Sequence, residues 1–167
     1  VDNYLELETQ EKNHFKRLGN ILKGYPVYSE FLEGVRGVGP AMAGVILSEI
    51  DITKAEYPSS LHKYAGLDVA GDGQGRSRKK EHLEESEYVD KDGAVQTKKG
   101  ITFNPFLKTK LVGVLGSSFV KQPADKCKYR KIYDDYKHRL EHMDAHKEKS
   151  KGHRHNMAVR YMVKIFL

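Results

Sequence analysis

The chain has 167 residues, 38% hydrophobic and 31% charged, with a formal net charge of +6. This length suits one domain, or a core with one long appendage, and the composition is polar without reaching the disordered range. The single cysteine, Cys127, excludes an intrachain disulfide and a cysteine-rich zinc site. No apolar run approaches the ~20 residues a bilayer crossing requires, so no membrane partner is expected.

Taken in chain order, residues 1–23 place Leu5, Phe15, Leu18 and Leu22 at near-helical spacing among charges. That predicts the end of a connecting or coiled-coil helix over 1–26, suited to homo-oligomer contacts. Gly24-Tyr25-Pro26 breaks it, and a short helix with Val27, Phe31 and Leu32 turned inward follows. Gly37-Val38-Gly39-Pro40 is a turn into an apolar helix, Ala41 to Ile50, with Pro40 suited to a first helical turn.

Pro58-Ser59-Ser60 opens the next helix, with Ser59 or Ser60 as cap, and Gly66 closes it. Residues 68–80 form a glycine-rich, then basic loop. Residues 84–99 read as a β-hairpin turning at Asp90-Lys91-Asp92-Gly93. A helix is predicted from Asn104 to Leu115, a long charged helix over 123–147, and a last helix from His153 with Met157, Tyr161, Met162 and Ile165 on its apolar face. The expected fold is mainly α, with a helix-hairpin-helix at 27–50 inside a 27–167 domain and a small β-hairpin insertion. The chain begins without Met and ends in an apolar run, so it reads as a piece of a longer protein.

The segment Gly34-Val35-Arg36-Gly37-Val38-Gly39-Pro40-Ala41-Met42-Ala43 resembles the helix-hairpin-helix motif of DNA repair and recombination proteins. Its glycines permit a tight turn and close approach to a phosphate. The following helix N-terminus favours an anion. Arg36, Gly37, Val38 and Gly39 are therefore candidate contacts to a DNA backbone, with Val38 also plugging the hairpin into the core. A tight helical turn that needs glycine only for its geometry is the competing account.

A wider resemblance then emerges. Val35 to Pro40 leads into Ala43 to Ile50, then Ser60-Leu61-His62-Lys63-Tyr64-Ala65-Gly66-Leu67. Further on come Gly100-Ile101-Thr102-Phe103-Asn104-Pro105-Phe106-Leu107-Lys108 and Lys151-Gly152-His153-Arg154-His155-Asn156-Met157-Ala158. Together, over about residues 30–167, these segments resemble the C-terminal transposase domain of the insertion-sequence "one-ten" family, relatives of the Piv/MooV invertases. The resemblance implies a prokaryotic, cytoplasmic and nucleoid-associated enzyme of DNA transposition and recombination. It implies a serine nucleophile in this domain and a separate RuvC-like domain whose four acidic residues bind divalent metal. It also implies a structured guide RNA as a partner beside DNA. This stretch would hold no cofactor itself and would be inactive alone.

By that resemblance the nucleophile lies in the loop after Ala65-Gly66-Leu67, where Ser77 is the one serine. The loop is longer than the family's and lacks its usual Ser-Gly pairing. Arg76, Arg78, Lys79 and Lys80 beside it can clamp a phosphate and stabilise developing charge. No base is evident in the pattern; His82 is a candidate by proximity alone. Ser117 and Ser118, expected to end a helix, are the weaker alternatives.

From Lys121 to Leu167 there are 13 Lys/Arg against 6 Asp/Glu, more than the whole chain's positive excess. Together with Lys108 and Lys110, this stretch offers phosphate contacts whose neutralisation releases counterions. His153, Arg154 and His155 open a helix and are expected to converge on an anion. His138, His142 and His146 share one helix face but lack the glutamate of a metalloprotease motif, so no metal site is expected. Glu81, Glu84, Glu85 and Glu87 stand beside the basic loop, either bracing its arginines or screening them. The competing function is a non-catalytic helix-hairpin-helix nucleic-acid-binding module.

Overall fold

The computed structural model describes residues 2–167. It is mainly helical, with one two-stranded antiparallel sheet. Helix α1 (Asp2–Leu22) starts the described chain, residue 1 lying outside it. Its last turns join the core: Leu22 is buried, and Leu18 packs against the core at Gly44 of α3 (Pro40–Glu49). Its first turns do not, since Tyr4, Leu5, Leu7 and Phe15 are exposed.

Helix α2 (Pro26–Glu30) is short and passes into a 3₁₀ turn at Leu32–Gly34. Tyr28 and Leu32 are the buried residues here; Val27 and Phe31 are exposed, contrary to the inward face read from spacing. Tyr28 and Leu32 are themselves four residues apart, so the buried stripe lies one position round from the one expected, on the side that meets the core cluster.

Gly37 has φ +101°, and a Cβ there would meet Phe119 Cδ1 at 2.8 Å. Its carbonyl accepts a 2.7 Å hydrogen bond from Ser118 Oγ, and Arg36 Nε donates to Gln122 Oε1 at 3.2 Å. The hairpin turn is thus seated on α6 (Gly116–Val120) and the residues just after it.

Helix α4 (Pro58–Tyr64) begins without a side-chain cap; neither Ser59 nor Ser60 supplies one, because Tyr57 holds the N-cap position. It ends at Gly66, φ +64°, where a Cβ would strike Phe103 at 2.8 Å. Helix α5 (Pro105–Thr109) is capped by Asn104, whose Oδ1 accepts from Leu107 N–H at 3.0 Å. Asn104 Nδ2 donates to Glu49 Oε2 at 2.6 Å and to the Tyr64 hydroxyl at 3.1 Å. Three segments far apart in sequence, ending α3, ending α4 and starting α5, therefore meet at one side chain.

The helix predicted to stop at Leu115 instead continues as a π turn, Lys110–Leu115, into α6. Gly116 allows α9 (Lys151–Phe166) to cross closely: a Cβ at Gly116 would lie 2.6 Å from Val159 Cγ1. Helix α7 (Lys128–His142) packs along α9, and α8 (Asp144–Lys147) is a separate turn, so the long helix over 123–147 is divided at Met143. On α9 the buried residues are Ala158, Val159, Met162, Val163 and Phe166, while Tyr161 and Ile165 are exposed. The buried stripe is rotated by about one position because both α6 and α7 press on that side.

Phe119, Tyr129 and Phe166 form an aromatic cluster at the centre, with ring centroids 4.8–5.3 Å apart. Strands β1 (Glu84–Val89) and β2 (Val95–Gly100) pair with Glu85 opposite Lys99 and Val89 opposite Val95. This ribbon is exposed almost throughout and roots directly on the loop that carries Ser77.

Candidate active site

The loop after α4 is folded on itself by local hydrogen bonds. Val69 bridges Gly75, Ala70 N–H donates to Gln74 O at 2.8 Å, and Arg76 N–H donates to Asp68 O at 3.1 Å. Asp72 Oδ1 accepts from Gln74 N–H at 2.8 Å, which fixes its carboxylate in a turn. A 3₁₀ turn at Lys80–His82 then folds the chain back and buries His82, which is 3% exposed.

These two turns bring Ser77, His82 and Asp72 into line. Ser77 Oγ lies 2.9 Å from His82 Nδ1, and the Ser77 backbone N–H also donates to Nδ1 at 2.9 Å. An N–H pointed at Nδ1 requires a lone pair there, so the imidazole proton sits on Nε2. Nε2 in turn is 3.1 Å from Asp72 Oδ2. The hydrogen bond from His82 is the main cause holding Asp72 below the ordinary carboxylate range, followed by that from Gln74 N–H. A hydroxyl, a neutral ring nitrogen facing it and a carboxylate behind the ring are the parts of a nucleophile–base–orienter relay.

Ser77 opens onto a cleft of about 780 Å³. Its cations come from three parts of the chain: Arg76 from the loop, Lys108 from α5, and Arg160 and Lys164 from α9. The Arg160 guanidinium lies flat against Gly75, where a Cβ would come within 2.8 Å of its Cζ, and donates to Gly66 O at 3.0 Å. Burial pushes Arg160 down from its ordinary value, with Asp68 opposing. Lys108 donates to the Arg76 carbonyl and stands 4.5 Å over the Phe103 ring. Burial first, then the charge of Arg160, lower its pKa to about 8; Arg78 adds to the lowering and Asp68 opposes it. The cleft thus concentrates like charges with little counter-charge, which favours an anionic occupant.

Of the residues picked from the sequence, Arg76, Ser77, Lys108 and His153 line this cleft. Arg76 is already committed: Nε and Nη2 donate to Asp68 Oδ2 at 2.9 and 2.8 Å, and Nη1 to Glu84 Oε1 at 2.8 Å. Its part is to brace the loop, and Glu84 is the brace among the acidic cluster. Arg78 and Lys80 are exposed beside the site, and Lys79 Nζ donates to Gln74 Oε1 at 3.0 Å. Lys110 lies outside the cleft, 5.4 Å from the Phe106 ring centroid. The expected convergence at the start of α9 does not form. Arg154 is spent on the carbonyls of Lys147 and Lys149, and His155 Nδ1 faces the Tyr133 hydroxyl at 2.6 Å. Arg36, Gly37, Val38 and Gly39 belong to the hairpin and do not line the cleft. Ser118 is bound to Gly37 O.

Sequence reasoning passed over Asp72, Arg160 and Lys164. A usable signal existed for the last two: His153, Met157, Arg160 and Lys164 recur at three- and four-residue steps, one face of a helix. Among the described residues no three His, Cys, Asp or Glu side chains converge into a set able to hold a metal ion. No helix among them is long and apolar enough to cross a membrane. No protein-family profile, curated protein or solved structure matches the chain.

Proposed function

We propose that this chain is the serine-bearing, DNA-binding domain of a transposase or site-specific recombinase. One observation carries the reading: Ser77, with His82 and Asp72 lined up behind it, opens onto a cleft walled by Lys108, Arg160 and Lys164. The relay supplies a nucleophile. The cations favour a phosphodiester over an uncharged acyl group, because they can stabilise charge on phosphoryl oxygens.

In the proposed step the Ser77 Oγ proton passes to His82 Nδ1 as Oγ bonds to phosphorus. The bond from phosphorus to the leaving deoxyribose oxygen breaks on the opposite, in-line side, where that oxygen takes a proton from water, and His82 keeps the serine proton until Oγ leaves again in the resolving step. The result is DNA joined to Ser77 as a phosphodiester, a linkage that the hydroxyl of another strand can resolve by the reverse displacement. Asp72 keeps the ring in the required tautomer and offsets the charge that forms on it. Arg76 holds the loop through Asp68 and Glu84, and Lys108 fixes the carbonyl preceding Ser77.

The proposal extends to the companion parts implied by the sequence resemblance: a RuvC-like domain, whose divalent metal would supply further phosphate activation, and a structured guide RNA. Self-association through the exposed apolar residues at the start of α1 fits the same scheme. The hairpin at Gly37 serves here chiefly as a scaffold for α6.

The test uses the parent protein with a suicide DNA duplex whose cleaved strand diffuses away. A covalent protein–DNA adduct is expected, with the modified peptide carrying Ser77, absent in Ser77→Ala and present in Ser117→Ala. An adduct on another residue, or one formed at the parental rate by Ser77→Ala, overturns the assignment.

A further inference from the structure

Two tyrosines from different helices also line the Ser77 cleft: Tyr136 of α7 and Tyr161 of α9. Their rings are parallel within 10°, with centroids 3.9 Å apart, and Tyr161 is 38% exposed. Met157, one helical turn before Tyr161, extends this apolar wall, and His153 lies one turn further. Tyr161 directly follows Arg160 and precedes Lys164 by three residues, and all three line the cleft, so α9 brings two cations and an aromatic ring to it.

That combination suits a nucleic-acid strand, which offers a phosphate to the cations and, from the neighbouring sugar, a base to the rings. A lone phosphate would use the cations and leave the rings idle. In an intact duplex each base is covered by its neighbours on both faces, so the rings could not be used there either. An unpaired base has a free π-face, and stacking on aromatic side chains is tolerant of sequence because every base has one.

We propose that the cleft takes DNA carrying at least one unpaired nucleotide beside the scissile phosphate, with its base stacked on the Tyr136–Tyr161 pair. This rests on the reading of Ser77 as a DNA nucleophile and specifies its substrate: locally opened or single-stranded DNA. The pre-stacked rings cost little ordering when the base arrives, since each is already held by the other.

The experiment measures binding of the 167-residue chain to matched oligonucleotides at one low salt concentration: single-stranded DNA, fully paired duplex, duplex with one unpaired 2-aminopurine, and single-stranded RNA of the same sequence. Tighter binding to single-stranded DNA than to duplex, with quenching of the 2-aminopurine fluorescence, is expected. In Tyr161→Leu the preference for unpaired over paired DNA should shrink by about 10-fold and the quenching vanish, whereas Tyr161→Phe retains both. The duplex arm reports whether the leucine variant remains folded and charged.

DNA binding with no preference for unpaired bases, or a preference untouched in Tyr161→Leu, overturns the stacking proposal and leaves the nucleophile reading standing. Tighter binding to RNA overturns the assignment to DNA. Absence of binding to any of the four probes overturns both.

Discussion

Replacing Gly37 and Gly39 separately by alanine distinguishes two uses of glycine in the hairpin. Gly37 has φ +101°, and an alanine Cβ would sit 2.8 Å from Phe119 Cδ1 and 3.2 Å from Cε1. The left-handed backbone costs roughly 1–2 kcal/mol for a residue with a Cβ. Phe119 is fully buried between Tyr129 and Phe166 and cannot swing clear, so overpacking adds about 1–3 kcal/mol. The sum is a loss of about 2–5 kcal/mol. Gly39 has φ −98°, and nothing lies within 4 Å of the position its Cβ would take. Gly39→Ala should therefore change stability by no more than about 1 kcal/mol, with a gain if the unfolded chain is stiffened. Urea titration followed by helical circular dichroism measures both. A Gly37→Ala loss below about 1 kcal/mol, or equal losses at the two positions, would refute the argument from Phe119. Gly39→Asp is then the informative DNA probe. It leaves the packed glycine in place, and weaker DNA binding by that folded variant would assign the hairpin a phosphate contact of its own.

Arg76 and Arg78 should behave oppositely despite being two residues apart. Arg76→Met strands Asp68, while Glu84 keeps its ion pair with Lys63, and should cost about 2–4 kcal/mol in a denaturant titration. Arg78→Met should stay within about 0.5 kcal/mol while lowering the slope of log affinity against log salt by about one. Lys108, with a pKa of about 8, should make DNA affinity fall as pH rises from 7 to 9 at constant ionic strength, a dependence that Lys108→Arg removes. Its depressed folded-state value also means that the unfolded chain binds the proton more tightly. The associated penalty is therefore complete below about pH 8 and eases as pH rises towards the ordinary lysine range, measurable as midpoint shifts in Lys108→Met relative to the parent. Asp72→Asn keeps the turn at Gln74 but removes the carboxylate behind His82; adduct formation by the parent protein should slow by about 10²–10⁴-fold, with the fold intact.

Local signals were read correctly where local physics dominates. Pro40 at a helix start, Gly66 at a helix end, the Asp90–Gly93 turn and Asn104 before Pro105 all act through bonds within a few residues, so the helical class and the β-hairpin were legible from sequence. Helix phase was less so. The buried side of α9 and the inward residues near α2 depend on which helices press against them, and Phe31 and Ile165 were misplaced for that reason.

Ser77 was singled out through the family resemblance, since a serine between basic residues is by itself an ordinary loop residue, and His82 only by nearness. Their alignment required the fold. Asp72 and His82 are ten residues apart and meet because a bridge at Val69–Gly75 and a 3₁₀ turn at Lys80–His82 fold one loop upon itself. Arg160 reaches that loop from the last helix, across 94 residues to Gly66, only because Gly75 has no side chain to hold it off. Residue type, charge and short-range spacing are properties of the chain itself, and they determined that it is helical, basic and equipped with a serine among cations. Which cations share a cleft with that serine, and which carbonyls and carboxylates hold them there, depends on long-range packing and was decided by the tertiary structure.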